Sequence, residues 1–405
     1  MNTTVTGRKT EDLILVVDDI QRNLQIVANF LEAENFRLSF AENGEQALKM
    51  VSRTLPDLIL LDIMMPGMDG FEVCRRLKAS PGTRDIPIIF LTGRAESEDL
   101  IKGFEIGGVD YVTKPFKGAE LLARIKTHLE LKHAREALKE KNEQITASIY
   151  YAERIQGAIL PLHERIDSAL AENFIIFKPK DIVSGDFYWF EQFTGKIVIA
   201  VVDCTGHGVP GAFMSMIGST LLNKIVIEQK VLDPAQILER LDIEVRKVLK
   251  QDQTNSEVNE GMDVCLCLIE KEKSRLTFAG AMRPLYIMRE QTSNGQSGVE
   301  EDSKLIEIKG DMWSIGGKQR KKESKFTNKE IAFSPGDMIY LTSDGYMHQN
   351  NSENKKIGSS GFKNILEDIA GLEIDKQKGI ILKKLAEHQG EENQRDDILL
   401  IGVRL

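Results

Sequence analysis

The chain has 405 residues, 41% of them hydrophobic, a length that predicts two domains and a connector rather than one core. Lys and Arg number 53 against 62 Asp and Glu, and the formal net charge of −9 argues against a general nucleic-acid binder. No run of about 18 apolar residues is present and the N-terminal segment is polar, so we expect a disordered tail over 1–10, no membrane segment and a cytoplasmic protein.

Short apolar runs alternate with amphipathic stretches in the first third of the chain. The runs are LILVV at 13–17, LILL at 58–61 and IPIIFL at 86–91. Strands that are buried on both faces read as continuous apolar runs, and helices connect parallel strands. The pattern ends near Leu129 and predicts an α/β domain with a parallel sheet.

Carboxylates stand directly after two of these runs, Asp18 and Asp19 after the first and Asp62 after the second. The carboxyl ends of parallel strands share one edge of a sheet, where ligands bind. Three carboxylates there would repel one another, so the sequence predicts a divalent cation at this edge. Thr92 follows the third run at the same edge, and Lys114, which precedes a proline, would bring an ammonium group near the acids.

The composition changes between residues 129 and 162, where Glu, Lys, Gln and Ala are frequent. A series of apolar residues falls seven apart, but the companion heptad positions are weak. The pattern predicts a helical linker and is compatible with two arrangements, a coiled-coil dimer or a single amphipathic connector. The members of the series are Leu131, Leu138, Ile145, Ala152 and Ile159.

Strand-like segments cluster in the remainder of the chain, with helical stretches between the clusters. This order favours an α+β sandwich over a second parallel sheet. Helices are predicted at 211–229, 234–251, 362–370 and 376–388, and polar loops at 291–304 and 349–361. Strands are predicted at 174–178, 187–191, 196–202, 263–269, 275–279, 284–289, 305–308, 330–333, 337–342 and 397–403.

Five aspartates, each beside glycine or at the end of an apolar run, dominate this second half. Hard divalent cations prefer oxygen ligands, and aspartates at strand ends can converge on one spot. Two metal ions held about 3.5–4 Å apart would activate a water molecule and clamp a phosphoryl group. The pattern therefore predicts a phosphate-removing enzyme. The aspartates are Asp186, Asp203, Asp344, Asp396 and Asp397.

Residues 11–128 resemble the receiver domain of bacterial response regulators in the segments VVDD, LDIMMPGMDGFEV, LTGR and DYVTKPF. The resemblance implies a doubly wound (βα)5 fold, with Asp62 as the phosphoacceptor and a sensor histidine kinase as the phosphodonor. It also implies that Thr92 and Lys114 contact the phosphoryl group and that Tyr111 is an aromatic switch. The implied ligands of a Mg²⁺ ion are Asp18, Asp19, Asp62 and the carbonyl of Met64.

Residues 163–405 resemble the metal-dependent protein phosphatase (PPM) superfamily, in the branch of SpoIIE and the sigma-B regulator phosphatases. The matching segments are SGDFY, DCTGHG, SDG and DDILLIGV. The resemblance implies an α-β-β-α sandwich and two Mn²⁺ or Mg²⁺ ions bridged by Asp203, one of them also bound by the Cys204 carbonyl. The other implied ligands are Asp186, Asp344 and Asp396. Asp397 is the alternative to Asp396, because adjacent residues of a strand point to opposite faces.

The two resemblances predict a response regulator with a protein serine/threonine phosphatase as its output. We expect phosphorylation of Asp62 to control the phosphatase and hypothesise that it raises activity. The substrate implied by kinship is a phosphorylated anti-anti-sigma (STAS-domain) protein in a partner-switching pathway, and a coiled-coil linker would make a homodimer through receiver and linker. The alternatives are a non-catalytic adaptor that binds a partner protein through a phosphatase-like fold, and a phosphatase of small phosphate esters, although no P-loop motif is present.

Overall fold

The computed structural model of the protein describes residues 11–93, 97–253, 258–289, 305–317 and 325–405, with the side chains of 97–100 excepted. The predicted tail at 1–10 and the predicted loop at 291–304 lie outside these residues. The chain divides into two compact units, Met1–Gln144 and Ile145–Leu405.

The first unit is built on one sheet of five parallel strands in the order β2-β1-β3-β4-β5. The prediction of a doubly wound parallel sheet is confirmed. Its strands are β1 (Asp12–Val17), β2 (Phe36–Ala41), β3 (Leu58–Asp62), β4 (Ile88–Thr92) and β5 (Asp110–Thr113). The helices between them are α1 (Gln21–Leu31), α2 (Gly44–Val51), α3 (Gly70–Ala79) and α4 (Ser97–Glu105).

Continuous apolar runs place these strands between two layers of helix. In β3, Ile59 and Leu61 pack into the core on one face of the sheet, and Leu58 and Leu60 pack into the core on the other. Because alternate residues of a strand point to opposite faces, a strand covered on both sides has to be apolar throughout. The polar residue that ends each run is thereby fixed at the edge of the sheet.

Helix α5 (Gly118–Ile159) is a continuous helix of 42 residues that contributes to both units. It passes through residue 129 without a break and ends shortly before Pro161, as expected of a residue that cannot continue a helix. The heptad residues Leu131, Leu138 and Ile145 are 64%, 71% and 58% exposed. The apolar series is therefore a solvent-facing stripe in this part of the chain.

The second unit contains two antiparallel sheets. One has the order β14-β10-β9-β8-β7, with β13 also pairing with β9, and the other has the order β12-β11-β15-β16-β6. The strands are β6 (Asn173–Lys178), β7 (Phe187–Phe193), β8 (Lys196–Cys204), β9 (Gly261–Glu270), β10 (Arg275–Ala281), β11 (Leu285–Met288), β12 (Leu305–Ile308), β13 (Ile315–Gly316), β14 (Lys329–Ala332), β15 (Met338–Thr342) and β16 (Ile398–Arg404).

Helices cover the outer faces of these two sheets. The described helices are α6 (His163–Ala169), α7 (Gly208–Leu222), α8 (Pro234–Val248), α9 (Gly345–His348), α10 (Gly358–Asp368) and α11 (Ile374–Gln389). One apolar core lies between the sheets and includes Ile166 and Ala169 of α6, which is therefore not on an outer face. A second core joins α7 and α8 to the first sheet, and a third joins α10 and α11 to the second. This layering confirms the predicted α-β-β-α sandwich.

Two local features differ from the sequence prediction or refine it. The loop predicted over 349–361 ends early, because α10 begins at Gly358. The φ of Gly358 is +70°, so the turn that ends the loop falls at the first residue of the helix. The helix predicted over 211–229 is α7 followed by a π-helical segment, Asn223–Glu228.

The stretch Gly208–Glu228, formed by α7 and the π-helical segment, is the one described helix long and apolar enough to cross a membrane. In this fold, 56% of its most apolar window is buried inside the protein, and Leu222, Ile225 and Val226 are fully buried against the first sheet. It has the character of a core helix.

Candidate functional site

The first acidic site lies at the carboxyl edge of the parallel sheet. Asp18, Asp19 and Asp62 each present a carboxylate oxygen, and the three oxygens lie within 4.8 Å of one another. Lys114 Nζ lies 2.7 Å from an oxygen of Asp18 and 2.7 Å from an oxygen of Asp62. The predicted convergence of the acids and the lysine is observed, and the oxygen set suits a hard divalent cation.

Asp62 is held in a tight environment. Its side chain is almost fully buried, and burial raises the pKa of its carboxyl group, against the opposing effect of Lys114. The backbone also approaches closely, since a Cβ on Gly70 would lie 2.1 Å from the Asp62 carbonyl oxygen. Met64 follows two residues later; the residue is 77% exposed, and its N–H lies 3.4 Å from Asp62 Oδ1.

The other predicted receiver residues lie on adjacent strands. Thr92 is the last residue of β4 and is buried. Tyr111 in β5 is half-buried, between the ring of Phe104 at 6.3 Å and the guanidinium of Arg124 at 5.7 Å. Both residues are thus in the same unit as the acids, and Tyr111 is in contact with neighbouring side chains.

The second acidic site forms at strand ends of the sandwich. Asp203 and Asp263 are directly paired residues of the antiparallel strands β8 and β9. Asp344 follows β15 in the other sheet, and its backbone N–H donates to Asp203 Oδ2 at 3.3 Å. Burial raises the pKa of Asp203 to about 7, with Arg283 opposing the shift and the carboxylates of Asp344 and Asp263 adding to it.

Asp186 is one of the deeply buried acids among those predicted. Its side chain is 3% exposed, and its Oδ2 has no hydrogen-bond partner. Burial raises the pKa of its carboxyl group well above the ordinary value, and the charges of Asp203, Asp397 and Asp396 add to the effect. An unpartnered buried carboxylate oxygen among other carboxylates is costly unless a cation binds it, so the site suits a divalent metal ion.

Asp396 and Asp397 have different surroundings. Asp397 is buried, and its two oxygens accept the backbone N–H groups of Lys180 and Gly185, each at 2.7 Å. Asp396 is half-buried, and its Oδ1 accepts the N–H of Asp397 at 2.9 Å. The carboxylate of Asp397 therefore holds the backbone on either side of residues 181–184, whereas Asp396 keeps an oxygen available.

Glycines allow the backbone segments of this site to meet. A Cβ on Gly345, next to Asp344, would lie 1.9 Å from the Asp397 carbonyl oxygen. A Cβ on Gly185, next to Asp186, would lie 2.4 Å from the Gly206 carbonyl and 3.3 Å from that of Cys204. These approaches explain the glycines of the SGD and SDG segments, because a side chain would separate the acids.

Arg283 is a residue of the site that sequence reasoning missed. It lies between β10 and β11, and its Nη2 is 3.1 Å from Asp203, 3.0 Å from Asp263 and 2.6 Å from Asp344. The only signal was a charged residue inside the otherwise apolar segment AMRPLYIM. Which carboxylates it would meet depends on the pairing of strands from two sheets.

His207, in the GHG turn, has polar contacts at both ring nitrogens. Nδ1 lies 2.6 Å from Asp181 Oδ2, and Nε2 lies 2.8 Å from Lys180 Nζ. The ammonium of Lys180 can only donate, so Nε2 accepts and Nδ1–H donates to Asp181. His207 thereby orders the loop that Asp397 also holds.

Two family models match the chain. The response regulator receiver domain matches residues 14–126, and stage II sporulation protein E (SpoIIE) matches residues 194–405, which is more than half of the chain. Together with the fold, the matches define a receiver domain joined to a PPM-superfamily phosphatase domain. The protein belongs to the SpoIIE family.

Individual relatives agree with this assignment. The solved structure of the SiaA-PP2C domain of Pseudomonas aeruginosa is 32% identical, with a TM-score of 0.57, over 65% of this chain and 98% of that domain. The response regulator PleD of Caulobacter vibrioides is 45% identical over 128 residues, 32% of this chain and 28% of PleD. A probable cyclic di-GMP phosphodiesterase of Vibrio cholerae is 38% identical over 158 residues, 39% of this chain and 35% of that protein. The chain thus spans about a third of the length of these two curated relatives.

Proposed function

We propose that this protein is a cytoplasmic response regulator in which phosphorylation of Asp62 controls a metal-dependent protein serine/threonine phosphatase. The observation that carries the enzymatic part is the unpartnered Oδ2 of buried Asp186 beside the carboxylates of Asp203, Asp396 and Asp397. Buried acids arranged in this way are destabilising in themselves, and such arrangements occur where function requires them.

The residues that would hold two Mn²⁺ or Mg²⁺ ions are Asp186, Asp203, Asp344 and Asp396, with the Cys204 carbonyl. Asp203 would serve both ions, since it lies next to Asp344 and its charge also acts on Asp186. Asp397 has both oxygens committed to backbone N–H groups, so we assign it to positioning the loop and Asp396 to the metal.

When bound, the two ions would supply positive charge that activates a water molecule and neutralises the phosphoryl oxygens. The chain's own residues would position this chemistry. Asp186 and Asp203 would fix the ions from the first sheet and Asp344 and Asp396 from the second. Phosphate would leave a serine or threonine side chain without a covalent enzyme intermediate, and none of the four cysteines, all of them free and buried, is available as a nucleophile.

The receiver would act through its own acidic edge. Asp62 would accept a phosphoryl group from a sensor histidine kinase, with a Mg²⁺ ion held by Asp18, Asp19 and the Met64 carbonyl. Lys114, already in contact with Asp62, would neutralise the added charge. Thr92 and Tyr111 would then shift, and phosphatase activity would rise.

The substrate we propose is a phosphoserine protein, namely a STAS-domain anti-anti-sigma factor. The exposed stripe of Leu131, Leu138 and Ile145 on α5 supports a homodimer through receiver and linker, because apolar residues seven apart are the seam of a coiled coil. None of the residues that the structure describes selects the substrate, so its identity rests on kinship with the SpoIIE family.

The test is hydrolysis of a phosphoserine protein with and without Mn²⁺, comparing the wild type with Asp203→Asn. We expect Mn²⁺-dependent release of phosphate by the wild type and a loss of at least about a hundredfold in the variant. Asp368→Asn is the matched control, because Asp368 is an exposed aspartate paired with Lys384. Retained turnover in Asp203→Asn would remove Asp203 from the mechanism, and partner binding without turnover by the wild type would favour the adaptor.

A further inference from the structure

The segment that carries Arg283 is built to fix this residue. A Cβ on Gly280 would lie 2.3 Å from the Arg283 carbonyl oxygen, and a Cβ on Gly310 would lie 2.7 Å from the same atom. Met282 has a φ of +60°, a left-handed conformation that is unfavourable for its side chain. Gly280 and the strained Met282 precede Arg283 in sequence, and Gly310 approaches it from a distant segment, so the backbone sets the position of this arginine.

The guanidinium is the meeting point of three carboxylates. One nitrogen, Nη2, lies within 3.1 Å of Oδ2 atoms of Asp203, Asp263 and Asp344. The Arg283 side chain is 13% exposed. Burial lowers the pKa of its guanidinium, but the three carboxylates together outweigh burial and keep this pKa above the ordinary value. Arginine stays charged in such surroundings, so it is a permanent positive charge at this place.

Asp263 is already satisfied by the protein. Its Oδ2 accepts from Arg283 at 3.0 Å and its Oδ1 accepts from the Ser314 hydroxyl at 2.6 Å. Asp203 and Asp344, by contrast, are ligands of the proposed metal ions. Asp263 is therefore an acid directly beside the metal ligands, paired in register with Asp203, whose partner is an arginine.

We propose that Arg283 is a built-in cation of the phosphatase site, which stands where Asp263 and Asp344 would otherwise hold a further divalent ion. It neutralises Asp263 and takes one oxygen each of Asp203 and Asp344. This leaves Asp203 Oδ1, and Asp344 Oδ1, which lies 3.2 Å from His348 Nδ1, for the two catalytic ions. The inference rests on the proposed function, because it assigns Arg283 a role beside the proposed metal ligands.

The proposal predicts how many metal ions the protein holds. The experiment is equilibrium dialysis of the full chain against Mn²⁺ with elemental analysis of the bound metal, and circular dichroism to verify folding. The variant Arg283→Gln, which removes the positive charge, is expected to bind one more Mn²⁺ equivalent per chain than the wild type. Arg283→Lys, which keeps a cation, and the double variant Arg283→Gln/Asp263→Asn, which removes the freed acid, are expected to bind the wild-type number.

Arg289→Gln is the matched control. Arg289 also pairs with an aspartate, Asp337, at 2.6 Å, but Asp337 precedes β15 and Asp344 follows it, so the two ion pairs lie at opposite ends of this strand. Its metal content should equal that of the wild type. An unchanged or lower Mn²⁺ content in Arg283→Gln would overturn the proposal. The single variant Asp263→Asn tests the same idea without removing the arginine: an unchanged metal content is expected, and the loss of one Mn²⁺ equivalent would show that Asp263 holds an ion itself.

The result is distinguishable from failure of the proposed function. Any Mn²⁺ that the receiver binds is the same in every variant, so it cancels when the metal contents are compared. If the wild type holds Mn²⁺ and hydrolyses a phosphoserine protein while Arg283→Gln gains no ion, only the role of Arg283 is wrong. If the wild type releases no phosphate, the proposed function fails, whatever the metal content of the variants.

Discussion

The side chain of Gln156 pairs with the backbone of Ser184 on both sides of its amide group. Nε2 donates to the Ser184 carbonyl at 2.6 Å, and Oε1 accepts the Ser184 N–H at 3.1 Å. Nε2 also lies 2.8 Å from the hydroxyl of Ser215 in α7. One buried side chain near the end of α5 therefore holds the residue two positions before Asp186 and a helix of the sandwich.

Replacing Gln156 by alanine should reduce phosphatase activity by about tenfold or more, because the backbone that carries Asp186 would lose its support. The variant would also lower the free energy of unfolding by about 1–3 kcal/mol, the usual cost of leaving buried polar groups unpaired. Phosphate release and urea unfolding measure the two effects. Arg154→Ala, on the exposed part of the same helix, is the control and should change neither.

Occupation of Asp62 by a phosphoryl mimic, beryllium fluoride, should raise the initial rate of phosphoprotein hydrolysis by about fivefold or more, the usual range of coupling between two sites. The mimic can act only if it binds the active arrangement of the receiver more tightly. Asp62→Asn should abolish the response, and Asp85→Asn, an exposed aspartate of the same unit, should preserve it. Equal rates with and without the mimic would rule out coupling.

In the presence of a metal chelator at pH 8, Asp186→Asn should stabilise the protein against unfolding, although it should abolish hydrolysis. The pKa of Asp186 is raised in the fold by burial and by neighbouring carboxylates, so the ionised form is less favourable in the folded than in the unfolded chain. The folded state therefore loses stability as pH rises above about 3.9, the pKa of an aspartate in the unfolded chain. The loss is up to about 1.4 kcal/mol per pH unit and continues until the pKa of the folded state is reached.

Thermal unfolding of both proteins in EDTA, at pH 5 and at pH 8, measures this effect. The melting temperature of Asp186→Asn should exceed that of the wild type at pH 8, and the difference should narrow at pH 5. A variant that melts below the wild type at pH 8 would contradict the raised pKa.

Gly345→Ala should destabilise the phosphatase unit by about 2–4 kcal/mol, because its Cβ would lie 1.9 Å from the Asp397 carbonyl oxygen and the backbone would have to move. Gly379→Ala is the matched control. Gly379 lies inside α11 with no atom within 4 Å of its Cβ position, so alanine there should be neutral or stabilising by up to about 1 kcal/mol. Urea unfolding distinguishes the two, and equal effects would show that the contact at Gly345 relaxes freely.

Much of the architecture could be predicted because hydrophobic pattern and burial agree in this chain. The run LILL at 58–61 is buried on both faces of β3, and Asp62 is fixed at the edge because it ends that run. Asp203 and Asp344 were found for the same reason, since each stands at the end of an apolar strand of the sandwich.

The features of the site that could not be predicted depend on contacts between segments that are distant in sequence. Arg283 meets Asp203 and Asp344 only because β8 and β15 belong to different sheets that face each other, and no local pattern reports this. The alternation of side chains along a strand predicted different roles for Asp396 and Asp397, but it could not show that Asp397 would accept two backbone N–H groups.

Those two hydrogen bonds of Asp397 also bear on biosynthesis. They join residues 217 and 212 positions apart, and β16, which follows at once, is an inner strand of its sheet that pairs with β6 and β15. During synthesis, contacts between such remote positions cannot form until the later segment has left the ribosome. A chain still emerging from the ribosome would thus lack an ordered loop at Lys180–Gly185, and hydrolysis would begin only after translation has passed β16.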